Sequence, residues 1–463
     1  MGTNAHNSGE VYTRDSVKGF AINHSISTSP EEDAGLKFVL KSQGSWFHCG
    51  YHLTTSIVGP VLLTLPFSFT LLGWGGGMLW LTLAGLVTFY SYNLLSMVLE
   101  HHAQLGHRQL RFRDMARDIL GHGWDKYYVG PLQFLICFGT VIGGPLVGGK
   151  SLKFIYALYN PDGSMKLYQF IIICGIITLL LAQLPSFHSL RHINLLSLIL
   201  SVTYSTLVMI GSIYIGHSKN PPPRHYTLQG SHVDQLFGVF NGISIIATAY
   251  ASGIIPEIQA TLAPPVKGKM FKGLCLCYSV IASTFYCVAI SGYWAFGNQT
   301  NGTILTNFIG ETKTLLPKWF FLITNLFIIV QVMAMTAVYL QPTNELFETT
   351  FGDAKMGQFS MRNVVPRILS RLLLVAAATT FAAMLPFFAD LLSLFGAFAF
   401  IPLDFILPMV FYNMTFKPSK HSIIFWGNAL IATVSSVLVV IGAIASIRQI
   451  VLDAKTYHLF SDM

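Results

Sequence analysis

Three carboxyl groups and one ammonium stand in stretches apolar enough to lie in lipid: Glu257, Asp390, Asp404 and Lys150. An ionisable group at that depth faces protein or water and marks a substrate or proton pathway by default. Each acid is therefore a candidate carrier of a coupling proton, and Glu257 leads because it directly follows a break in the apolar pattern. That break, Ala249 to Leu262 (AYASGIIPEIQATL), sets a Gly and a Pro in the middle of an apolar run. A matching break lies upstream at Leu53 to Phe67 (LTTSIVGPVLLTLPF), with Gly59-Pro60 at mid-depth. Proline removes a backbone donor and clashes with the preceding turn. The carbonyls near Thr55 and Ser56 and the amides of Ile57, Val58 and Gly59 thus lose helical partners, which is tolerated in a membrane only where protein or a water-filled cavity satisfies them. Amides opening the half-helix after Pro60 suit a carboxylate. Carbonyls ending the half-helix before Gly253, from Tyr250 through Ala251 and Ser252, suit an ammonium. A zwitterionic amino acid satisfies both.

Other residues widen the candidate site. Gly143, Gly144, Gly148 and Gly149 allow a neighbouring helix or a ligand to approach closely. Lys150 is expected either to meet a substrate carboxylate or acidic partner in an outer vestibule or to snorkel to the interface. In the eighth span, Gln331, Met335 and Thr336 stand at the right depth. His48 and His52 are weaker relay candidates. The run Gly144 to Ser151, GPLVGGKS, matches a phosphate-loop pattern, but that motif needs a strand before it and a soluble sheet. Here it falls inside an apolar helix, so no nucleotide is expected. His101, His102, His107 and His122 lack a closed ligand pattern, and no metal is expected. No zinc motif, nucleophile elbow or catalytic carboxylate pair is found, so the chain is read as no enzyme, with no cofactor beyond a coupling H+.

The elements that must position these groups are membrane helices. Of 463 residues, 52% are hydrophobic and 10% charged, with a mean hydropathy of +0.56, which places the chain among polytopic membrane proteins. Eleven spans are expected: Trp46–Gly73, Trp74–His101, Tyr127–Tyr159, Leu167–Leu184, Leu195–His217, Leu236–Ala263, Met270–Gly297, Leu315–Phe347, Pro366–Leu385, Phe387–Tyr412 and Ser422–Ile447. Most of the 28 Lys and Arg then share the side of the amino terminus, which the positive-inside rule makes cytosolic, with the carboxyl terminus outside. The net charge of +8 fits anionic lipid at the inner leaflet, and no nucleic-acid motif accompanies it. Arg111 to Gly121 reads as an amphipathic helix on the inner interface. The outer loop Asn298 to Lys318 carries glycosylation sequons at Asn298 and Asn301. The six cysteines imply no disulfide framework.

Broken span one corresponds to six, long span three to eight, and Pro185 closing span four to Pro386 closing span nine. Five spans followed by five form an inverted repeat, because an odd number per half turns the second copy over. The expected organisation is a cytosolic tail over 1–45, a first repeat over 46–217, a second over 236–412, an eleventh helix over 422–447 and an outer tail over 448–463. The protein is expected to be a monomer in the lipid bilayer.

The runs SPEEDAGLKFVLKSQGSWFHCGYHLTTSIVGP, LLTLPFSF, LRFRDMA, GIIPEIQAT, ISGYWAFGN and GAFAFIPLDFILP are similar to those of the plant GABA transporters in the amino acid/auxin permease family, and the likeness covers nearly the whole chain from residue 30. It implies an all-α, LeuT-type core with an eleventh helix, and proton-driven import of GABA or a related small amino acid by alternating access. It implies the plasma membrane, with the vacuolar membrane as the alternative. Substrate segments carry over to Thr55–Pro60 and Tyr250–Glu257. Lys150, Ala251-Ser252 and Gly143-Gly144-Pro145 depart from the resemblance. They extend the expected substrates to a bulkier or more acidic carboxylate, such as proline or an aromatic or indole acid. A sensor derived from a transporter is a further alternative. Sodium coupling is not expected, since span eight lacks clustered hydroxyls.

Overall fold

The computed structural model describes residues 44–183, 191–219, 221–263, 266–310, 314–385 and 388–453. The amino-terminal tail, Pro185, Pro386 and the last ten residues lie outside these. Among the described residues every named element is helical, and nine helices are long and apolar enough to cross a membrane.

Helix α1 (Trp46–Ile57) starts at Ser45, whose hydroxyl caps the amide of His48. It stops at Val58, and Gly59 is extended at φ −107° and ψ −173°. Pro60 then opens a 3-10 turn (Pro60–Thr64) that feeds α2 (Leu65–Gln104). Although α2 is continuous in hydrogen bonding, Gly73 has φ 69° and ψ 177°. A Cβ on Gly77 would lie 2.7 Å from the Phe69 ring. Eight residues of straight helix rise about 12 Å, so the chain doubles back at Gly73, where the first two spans were expected to divide.

Then follow α3 (Phe112–Leu120), a π turn (Asp125–Val129), α4 (Gly130–Tyr159), α5 (Leu167–Ala182) and α6 (Arg191–Gly216). Helix α5 ends after 16 residues, too few to count as a crossing by length. This short helix and the fusion across Gly73 are why the long helices number nine while eleven spans were expected.

The second half repeats the pattern. Helix α7 (His232–Tyr250) stops, Ala251 is extended, Gly253 takes φ +67°, and α8 (Ile255–Ala260) resumes with Pro256 in its first turn. After α9 (Lys269–Phe296) and the short α10 (Ile304–Asn307) comes α11 (Lys318–Phe351), which is 34 residues long beside the 30 of α4. Helices α12 (Met361–Met384) and α13 (Phe388–Phe395) lead into a π-helical segment (Gly396–Ile406) containing Pro402, then α14 (Leu407–Phe416) and α15 (Ile423–Asp453).

Small residues let the long helices touch. A Cβ on Gly144 of α4 would fall 2.1 Å from the Thr336 hydroxyl of α11, and one on Gly59 would fall 2.1 Å from the Met335 sulfur. The core runs continuously from α1 through α14. Leu180, Leu373, Val440 and Ile444 are exposed on the rim helices, as a lipid-facing surface requires. Helix α3 is amphipathic as expected, with Phe112, Met115 and Ala116 buried. The GPLVGGKS run is helical throughout.

Candidate functional site

Unwinding frees backbone groups, and each freed group has to find a new partner. At the first break the Ser56 carbonyl accepts from the Tyr339 hydroxyl at 3.0 Å. The Val58 carbonyl accepts from Gln331 at 2.9 Å and Ser201 at 3.3 Å, and the Gly59 carbonyl from Tyr204 at 3.1 Å. Gln331 is held in turn by Ser197, whose hydroxyl donates to its carbonyl oxygen at 2.6 Å. Helices α6 and α11 therefore clamp the first break from two sides.

At the second break the ligand is an acid. Asp404 is fully buried in the π-helical segment, a wide-turned geometry that recurs at functional sites. Its carboxyl oxygens accept from the Ser252 amide at 3.1 Å and from the Gly253 amide at 3.0 and 3.2 Å. Tyr92 accepts from the same Ser252 amide at 2.9 Å and donates to the Tyr250 carbonyl at 3.2 Å. The Gly253 carbonyl accepts from Gln133 at 3.1 Å. In this closed arrangement the amides that hold a carboxylate belong to the second break, and the carboxylate is the chain's own.

The two breaks touch. Ser252 donates its hydroxyl to that of Ser56 at 3.2 Å, and the Tyr339 hydroxyl that reaches the Ser56 carbonyl also reaches the Ser252 carbonyl at 2.8 Å. Beside this junction is a cavity of about 40 Å³, lined by Ile57, Gly144, Ala251, Thr336, Tyr339 and Phe400 among others. That is room for roughly three waters, so the site is nearly shut.

Two larger cavities flank it. One, of about 760 Å³, is lined by Arg111, Arg113, Gln133, Cys137, Glu257 and Glu345 among others. At the other end of the bundle a cavity of about 340 Å³ takes in Lys150, Asn241, Thr303, Asp390 and Asp453. The three candidate acids thus occupy three places: Asp390 in the smaller end cavity, Asp404 at the second break, and Glu257 in the larger end cavity.

Of the candidate ligands, Ser56, Ile57, Val58, Gly59, Gly144, Ala251, Ser252, Gly253 and Gln331 gather at or around the junction. Thr55 turns away and bonds the carbonyls of Tyr51 and Asn194. The Tyr250 ring packs edge-on against Phe285 at 5.1 Å, leaving its carbonyl at the break. Lys150 stands apart, in the cavity that holds Asp390. Tyr92, Gln133, Tyr204 and Tyr339 were not anticipated. Their one visible signal is a polar group in mid-span, away from the interface where tyrosine ordinarily collects.

Residues 42–451 match the family described as transmembrane amino acid transporter protein. The chain is 56% identical over 433 residues to GABA transporter 1 of Arabidopsis thaliana, covering 93% of this chain and 96% of that one. It is 30% identical over 442 residues to Lysine histidine transporter-like 1 of the same plant, covering 94% and 95%. Among solved structures, MhsT in complex with L-phenylalanine aligns with a TM-score of 0.52 at 9% identity, over 88% of this chain and 99% of its own. The substrate-bound outward-open state of a Na+-coupled sialic acid symporter aligns with a TM-score of 0.50 at 11% identity, over 94% of each chain. Those two likenesses show a shared fold. The two unwound spans and the sequence match agree: this chain belongs to the transmembrane amino acid transporter family, and is a membrane transporter and not an enzyme.

Proposed function

We propose that the protein is a proton-coupled symporter that imports GABA or a related small amino acid by alternating access. The observation that carries this reading is the junction of two unwound segments around one small cavity, with cavities at either end of the bundle and an acid beside each. The 56% identity to a protein named GABA transporter 1 supports the substrate class.

In this reading the chain crosses the membrane eleven times as a LeuT-type five-plus-five repeat with one helix added. The reversal at Gly73 separates the first two crossings, and α5 is the fourth. The end bearing Arg111, Arg113, Arg117 and Lys126 faces the cytosol by the positive-inside rule. Lys150, Asn301 and Asp390 then line the outer vestibule. The membrane is the plasma membrane, and the transporter works as a monomer.

The test is uptake of radiolabelled GABA into proteoliposomes with pH and sodium varied separately. Accumulation driven by an acidic exterior, unchanged when sodium is replaced, is expected. Sodium dependence at constant pH would reject proton coupling. Absence of uptake of GABA and of every small amino acid tried in competition would reject the substrate class.

A further inference from the structure

Gly253 is gripped on both of its peptide groups by different helices. Its N–H goes to Asp404 of the π-helical segment, and its carbonyl to Gln133 of α4. The Gln133 side-chain nitrogen carries two hydrogens. One is directed at the Gly253 carbonyl at 3.1 Å and the other at Oε1 of Glu257 at 2.8 Å. Both neighbours are acceptors, so the nitrogen, and not the oxygen, of the carboxamide must face them. One buried side chain therefore bridges the unwound segment to the acid of the larger end cavity.

Glu257 is 2% exposed and lies on the wall of that cavity. Its two protein donors, Gln133 and the Phe112 amide at 3.0 Å, both reach Oε1. Oε2 meets no hydrogen-bond partner among the described residues. A proton can be accommodated on Oε2 without displacing either donor. Cys137 lines the same large cavity, while Gly139 and Thr140, less than a turn further along α4, line the small central one. Along the second break, Ala251 lines the central cavity and Glu257 the large one, so the Gly253 segment runs between the two spaces, with Ile136 and Leu403 where a Cβ on Gly253 would stand.

We propose that Gln133 is a positioning residue that couples the protonation state of Glu257 to closure of the pathway at its cytosolic end. The inference rests on the proton-coupled reading above. A hydrogen bond to a charged acceptor is roughly twice as strong as one between neutral groups. Ionised Glu257 therefore fixes the Gln133 rotamer that also holds Gly253, and the way between the two spaces stays shut. Protonated Glu257 loosens that rotamer, the Gly253 carbonyl is released, and the central cavity can join the cytosolic one. Deprotonated Glu257 thus biases the carrier toward the state closed to the cytosol, so that substrate is not delivered there without its proton. Other ionisable groups face Glu257 and bias its titration: Arg111 and Arg113 from α3, Glu345 from α11, Asp404 from the π-helical segment and Cys137 from α4. Asp114, Arg117, Asp125 and Lys126 stand further round the same cavity.

The experiment uses the full chain in proteoliposomes, comparing wild type, Gln133→Leu and Gln133→Asn, the last too short to bridge both acceptors. Labelled GABA exchange across equal concentrations is measured on the same vesicles as the reference rate. Accumulation against a gradient should fall to near unity in Gln133→Leu and to an intermediate ratio in Gln133→Asn. Wild-type accumulation in Gln133→Leu, or joint loss of exchange and accumulation in both variants, overturns the coupling role. A second readout needs no substrate. Alkylation of Cys137, resolved by mass spectrometry against the exposed Cys275 and Cys287, should rise severalfold in Gln133→Leu. It should rise also in Glu257→Gln, and no further in the double variant. Unchanged Cys137 labelling overturns the inference even if wild-type protein moves no GABA, an outcome that separately counts against the transport reading.

Discussion

Asp404 is the residue on which the second break depends, since it is the one acid that meets unwound amides on both Ser252 and Gly253. Replacing it with asparagine keeps the volume but turns one oxygen into an N–H donor that faces another donor. A buried hydrogen-bonding group left without its partner costs about 1–3 kcal/mol. Asp404→Asn is therefore expected to lower stability by about 2 kcal/mol and to abolish accumulation. Thermal unfolding in detergent checks the first and uptake the second; a variant that melts and accumulates like wild type would remove Asp404 from the site. The acids, the lysine and the glycine–proline pairs were legible in the sequence because each violates a local rule, a charge or a helix breaker inside an apolar run. Tyr92, Tyr204 and Tyr339 show only a hydroxyl in mid-span, with nothing to say what it meets. Their hydroxyls matter only because distant segments bring a bare carbonyl to within reach, and no spacing along the chain records that meeting.

Among the elements, the closeness of α4 and α11 decides whether the junction can form, and it depends on absent side chains. A Cβ at Gly144 would meet the short, branched side chain of Thr336 at 2.1 Å, whereas one at Gly59 would meet the flexible end of Met335. Overpacking of a close helix contact costs typically 1–3 kcal/mol. Gly144→Ala is expected to fall in that range and to be partly rescued by Thr336→Ala, while Gly59→Ala should cost less. Melting temperatures of the three variants and the double variant give the comparison, and equal loss at Gly59 and Gly144 would contradict it. Helix breaks and the Gly73 reversal were visible as composition. The length of α5 was not, because its apolar run continues past Ala182, where Gln183 closes the helix with a turn.

At the scale of the whole molecule, ion pairs gather at the end that carries the larger cavity. Arg111 and Arg113 pair with Glu345, which ties α3 to α11, and Arg367 pairs with Glu348, which ties α12 to the same helix. At the Lys150 end the pair of Arg448 with Asp234 ties α15 to α7. The more deeply buried ion pairs thus lie at the end proposed to face the cytosol, while the pair at the other end is partly exposed. An odd number of crossings places the two termini on opposite sides of the membrane. Epitopes added at each end should differ in protease protection in sealed vesicles, the amino-terminal one being shielded in right-side-out preparations. Equal protection of both would exclude eleven crossings. The paired breaks and the paired long helices could be read in the sequence because they repeat at the level of composition; the ion pairs could not, since a charge near a helix end announces no partner.

The Tyr339 hydroxyl has a single hydrogen and stands about equally near two oxygens, one in each interrupted span. It can serve only one of them at any instant. The bond tying the halves together is therefore under-subscribed from the outset, and a visiting ammonium could take over the oxygen left waiting at little enthalpic loss. A carrier that must part these halves once per cycle is better served by such a shared tie than by a saturated one.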